Sequence, residues 1–116
     1  MSVEARVKAA LDVFGDPVEK SVLYVATDAK RYYTFSCKSF GDAFGDDEPD
    51  CERWLVTVHL FAPLTENCVR RARATKRALS DAGFTWPQYA DATDQDGQHH
   101  VFECETTEPI QESEGL

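Results

Sequence analysis

The sequence predicts an α+β domain, an antiparallel sheet with two helices packed on one face, in the order α-β-β-β-α-β-β. Three observations predict it. "VEARVKAALDVF" and "CVRRARATKRAL" carry apolar residues at helical spacing, whereas "RYYTFSCK" and "RWLVTVHLF" alternate with period two. Strands that follow one another without an intervening helix favour antiparallel pairing. A length of 116 residues with 42% apolar and 11% aromatic content fits one packed domain.

The first helix rests on Val3, Val7, Ala10, Leu11 and Phe14, with Ser2 placed to cap it and Gly15 and Pro17 placed to stop it. "SVLYVA", residues 21–26, reads as a first strand. In the second, Tyr33, Phe35 and Cys37 alternate with Tyr32, Thr34 and Ser36. Residues 39–52 then combine glycines, a proline and acids in "SFGDAFGDDEPD" and read as a long acidic loop carrying Phe40 and Phe44.

"RWLVTVHLF" is the strongest strand. Trp54, Val56, Val58 and Leu60 fall on one face, and Leu55, Thr57, His59 and Phe61 on the other. Both faces are substantially apolar, so the second is expected to meet another element or another subunit. Thr65 or Asn67 can cap the next helix, which runs to about Ala82 with Cys68, Ala72, Thr75, Leu79 and Ala82 on one stripe. Gly83 and Phe84 fit a Schellman ending.

A hairpin closes the domain. Its arms are "FTWPQYADA" and "QHHVFECET", with Asp96 and Gly97 as a type I′ turn pair and Pro87 pushing the first arm toward an edge. Residues 1–106 form the expected domain, and 107–116, without periodicity, are expected to be a flexible tail.

A formal charge of -9 disfavours a DNA-reading domain, because such proteins gain affinity from cations on phosphate. The charge is also segregated. Six acids lie within 42–52, while Arg70, Arg71, Arg73, Lys76 and Arg77 crowd one helix. That asymmetry suits contacts between copies of the chain. Cys37, Cys51, Cys68 and Cys104 form no C-x-x-C pair, which argues against a zinc ribbon. No export signal or membrane span is read, and reduced thiols in a cytoplasmic product are expected.

The most chemical-looking stretch is "DQDGQHHVFECE". As a calcium loop it would place Asp94, Asp96 and Glu103 at ligand positions, but Ala92 would hold the first position and offers no oxygen. A transition-metal site could recruit His99, His100, Cys104 and His59. Adjacent strand residues point to opposite faces, however, so His99 and His100 cannot share one ion without distortion. No glycine-rich phosphate or oxyanion loop lies near a cysteine. Catalytic residues, cofactors and metal ligands are accordingly expected to be absent.

Residues 46–63, "DDEPDCERWLVTVHLFAP", and residues 75–105, "TKRALSDAGFTWPQYADATDQDGQHHVFECE", together resemble the tail terminator proteins of long-tailed bacteriophages, also called tail-completion or head-to-tail joining proteins. The resemblance spans most of residues 32–105 and includes the order of elements. It implies a structural virion protein and no enzyme. Such a subunit forms a homo-oligomeric ring, expected to be a hexamer, that caps the head-proximal end of the tail tube and ends tube polymerisation. It joins the tail to the head connector or head-completion protein, and DNA passes through the ring without specific binding. The location implied is the virion tail, with the host cytoplasm during assembly.

The expected subunit or tube contacts are Arg70, Arg71, Arg73, Lys76 and Arg77 on the helix and Phe40, Phe44, Asp46, Asp47 and Glu48 in the acidic stretch. Two readings from other classes stand beside this one. One is a small metal-dependent enzyme using His99 and His100, and the other an acidic module that mimics DNA.

Overall fold

In a computed structural model, which describes residues 1–21, 30–44 and 49–109, the element order is the expected one. Helix α1 spans Val3–Asp12, strand β1 Val18–Lys20, β2 Tyr32–Phe44 and β3 Pro49–Ala62. Helix α2 follows at Val69–Asp81, then β4 at Gln88–Asp91 and β5 at Gln98–Pro109. The five strands form one sheet in the order β1-β2-β3-β5-β4.

The sheet is mixed instead of wholly antiparallel, because β1 runs parallel to β2. Val18 pairs with Tyr33, and the bond from Tyr33 N to Pro17 O begins that ladder. The first strand thus precedes the apolar run where the sequence placed it. Of residues 21–26, all but Ser21 lie outside the described residues.

Alternation in β2, β3 and β5 builds the core. Tyr33, Phe35, Val56, Val58, Leu60, Phe102 and Cys104 are buried on the face that receives Val3, Val7 and Leu11 of α1 and Ala72 and Leu79 of α2. Each fully buried aliphatic side chain there contributes about 1.5–3 kcal/mol through apolar surface removed from water. Helix α2 is also tied down by a polar contact, since the Tyr33 hydroxyl lies 2.8 Å from Thr75 Oγ1. Thr75 Oγ1 in turn donates to the Arg71 carbonyl at 2.7 Å.

The caps follow local chemistry. Ser2 Oγ accepts from Ala5 N at 3.1 Å at the start of α1. At the start of α2, Asn67 Oδ1 accepts from Val69 N at 3.0 Å, which selects Asn67 over Thr65 as the residue whose side chain serves that end. Phe84 N bonds to Leu79 O and Gly83 N to Ser80 O, the Schellman pair, with Gly83 at φ 99°.

The described parts of the acidic stretch are strand, while residues 45–48 lie outside the described residues. Residues 39–44 prolong β2 and 49–52 begin β3, in continuous antiparallel register out to the Phe44–Pro49 pair. Cross-strand backbone bonding outweighs the glycine, proline and acid signals, so the two strands reach 13 and 14 residues. Strand β5 runs beside them past Thr106, pairing Glu108 with Glu52 and Pro109 with Cys51, so residues 107–109 belong to the sheet and not to a tail. Strands this long draw the molecule out to 54 × 24 × 23 Å.

The closing turn is shifted by one residue. Asp94 and Gly97 bridge each other, so Gln95 and Asp96 occupy the centre in place of Asp96 and Gly97. Asp94 Oδ1 accepts from Asp96 N at 2.8 Å, a local side-chain bond that closes the reversal from its first residue.

Candidate functional site

The helices cover one sheet face, and the second face carries aligned rows from β2, β3 and β5. Register places Tyr32, Phe61 and His99 in one row and Thr34, His59 and Val101 in the next. Phe61 stacks between its neighbours, with ring centroids 5.0 Å from Tyr32 and 4.5 Å from His99. His59 Nδ1 and His99 Nε2 are 2.8 Å apart, a hydrogen bond whose donor depends on the tautomer. Leu55 reaches solvent farther along this face, at 37% exposure.

A cleft of about 650 Å³ opens at the end of this face, between Lys30 and Tyr32 on one side and Asp94, Asp96 and His99 on the other, floored by Phe61. Burial holds the His59 imidazole below its usual range, and the neighbouring His99 adds to that. His99 is also held low by burial, although Asp94 pulls the other way. Both rings are therefore neutral at neutral pH.

His100 belongs to the opposite face, as strand alternation requires. Gln98 donates through Nε2 to the Pro63 carbonyl at 2.7 Å and to that of Glu66, which leaves its Oε1 to accept from His100 Nε2 at 2.9 Å. His100 Nδ1 then accepts from the Tyr89 hydroxyl at 2.6 Å. Both ring nitrogens are satisfied, so His100 is a core residue holding α2's approach, β4 and β5 together. Residues His99 and His100 are not brought to one site. His59 and His99 are, and the register of β3 with β5 was the signal that sequence spacing lacked.

Cys37 and Cys104 are poorly placed to act as nucleophiles. Burial pushes the Cys104 thiol up to about 12, and burial followed by Glu4 pushes Cys37 up to about 11. A thiol so raised is protonated at neutral pH and a poor nucleophile. All four cysteines are free. Among the described residues, no group of three or more His, Cys, Asp or Glu side chains is arranged to hold a metal ion, and no helix is long and apolar enough to cross a membrane.

The five cations of α2 have different roles. Arg70 and Arg73 project into solvent. Arg71 turns inward, pairing with Asp16 Oδ2 and lying 4.8 Å over the Phe14 ring. Arg31 joins the same carboxylate at 2.9 Å and reaches Glu66 at 3.1 Å. Burial raises the Asp16 carboxyl, but the hydrogen bonds from Arg71 and Arg31 outweigh it and leave its pKa below the usual range. Lys76 lies 4.7 Å from the Tyr89 ring centroid and Arg77 5.5 Å from that of Trp86, so both cover exposed aromatics. Phe40 and Phe44 fall in β2, paired with Arg53 and Pro49, and Asp46, Asp47 and Glu48 lie outside the described residues.

No protein-family model matches the chain, and no curated protein matches it.

Proposed function

We propose that this chain is a structural subunit of a long-tailed bacteriophage tail. As a tail terminator, it closes into a ring, six-membered by the resemblance, that caps the head-proximal end of the tail tube. The ring ends tube polymerisation and offers its other side to the head connector or head-completion protein.

The observation that carries this reading is the long β2–β3 arm continuous with a sheet face that neither helix covers. A domain with its two helices on one face and the exposed Leu55 and half-buried Phe61 on the other has an apolar surface suited to a neighbour. The acids of 42–52 and the solvent-facing Arg70 and Arg73 supply patches of opposite sign on one chain. Unlike patches on one subunit favour head-to-tail contacts, and such contacts close into rings when the rotation permits.

In this reading the acidic arm faces the lumen or the tube, and the outward side of α2 faces the adjacent subunit. An acidic wall lets DNA pass without adhering, since phosphate is repelled. Electron microscopy of the chain mixed with tail-tube protein tests the proposal. Rings seated on one end of tubes of limited length support it, and tubes of unrestricted length without end density refute it.

A further inference from the structure

His59 and His99 come from different strands and sit one rung apart on the same face, since Phe61 pairs with His99 and His59 with Val101. Their facing nitrogens are 2.8 Å apart, with the rings inclined by 35° and centroids 5.0 Å apart. Phe61 stacks on His99 at 4.5 Å and fixes that ring from one side. Two imidazoles bound to one first-row ion at about 2.0–2.1 Å, with angles of about 90–109°, hold their nitrogens about 2.9–3.3 Å apart. The nitrogens are thus within roughly half an ångström of chelating separation, and a turn of the rings away from the line between them aims both lone pairs at one ion.

We propose that His59 Nδ1 and His99 Nε2 form a two-nitrogen chelate for a divalent transition ion of the kind imidazole prefers, namely copper, nickel or zinc. Among ions of this class, such ligands favour copper most strongly. The inference does not depend on the ring proposal.

The protons balance without loss to solvent. Each neutral imidazole carries one N–H, and the single hydrogen now between the rings moves to the far nitrogen of its own ring. His59 then keeps its proton on Nε2 and His99 on Nδ1, while both lone pairs turn to the ion. Asp94 and Asp91 lie near enough to act electrostatically on His99, and their negative charge favours a cation there. The remaining coordination positions belong to water or to a donor from another molecule, because no third side chain among the described residues closes the site. The chelate is therefore an exchangeable site and not a structural one.

Titration of the untagged chain with Zn²⁺, followed by long-range proton–nitrogen spectra of the imidazoles, tests the proposal. Zn²⁺ should move the signals of His59 Nδ1 and His99 Nε2 and leave both nitrogens of His100 in place. Calorimetry with Cu²⁺ should give one saturable ion per chain. His59→Asn and His99→Asn should each weaken it by at least the roughly tenfold that loss of an outer-shell partner costs. The spectra of the unaltered chain decide the matter even if a variant folds poorly. Binding that survives both substitutions, shifts centred on His100, or no saturable binding would overturn it.

Discussion

Replacing Thr75 by valine and Tyr33 by phenylalanine, singly and together, measures how α2 is held to the sheet. Both residues are fully buried, with their hydroxyl oxygens 2.8 Å apart. Tyr33→Phe removes one hydroxyl but leaves Thr75 bonded to the Arg71 carbonyl, so the expected cost is about 0.5–1.5 kcal/mol, the net worth of one ordinary hydrogen bond. Thr75→Val preserves the side-chain shape yet strips the buried Tyr33 hydroxyl of that partner. Its cost should be larger, about 1–3 kcal/mol, because the Tyr33 O–H is left without this acceptor and the neighbouring Arg71 guanidinium can only donate to its oxygen. In the double variant neither hydroxyl is left behind, and the loss should fall short of the two single losses summed by about 1 kcal/mol. Urea unfolding followed by circular dichroism reads all four proteins. For a domain of this size each kcal/mol corresponds to about 4 °C in Tm. Strict additivity of the two single effects would refute the contact.

Acid should weaken the fold through Asp16. Its carboxyl titrates below the usual range in the folded chain, so its contribution is complete above the unfolded value near 3.8 and is lost as pH falls through the lower folded value. Asp16→Asn should flatten that acid limb in thermal melts, and an unchanged limb would remove Asp16 as its source. Arg71→Ala should cost roughly 1.5–3 kcal/mol, the range for hydrogen bonds to charged groups, by stranding the same carboxylate against Arg31 alone. Arg70→Glu with Arg73→Glu should leave Tm nearly unchanged while weakening ring association, measured by sedimentation; intact association would take this side of α2 out of the interface. Gly83→Ala should destabilise by about 1 kcal/mol or more in urea unfolding, since φ is 99° and an added Cβ would stand 2.7 Å from Arg6 Nη2.

Periodicity made the core legible. Trp54, Val56, Val58 and Leu60 and the α2 stripe of Ala72, Thr75 and Leu79 face each other as their spacing implied. The ending of α2 was legible too, because Gly83 and Phe84 act within one turn of chain. What local signals misplace is what long-range pairing decides. Ser39 and Phe40 look like a loop until Trp54 and Arg53 pair with them, and Thr107 looks like a tail until it meets Arg53. The inward role of Arg71 was equally hidden, since its partner Asp16 lies 55 positions away. His59 and His99 meet across 40 positions, which no spacing rule within one strand could show.

Mass measurement in solution, with and without tail-tube protein, tests most directly the proposal that this chain works as a ring subunit on a tail tube. A closed oligomer of fixed stoichiometry, formed alone or on the tube end, is the predicted result. A chain that stays monomeric in both conditions would contradict it.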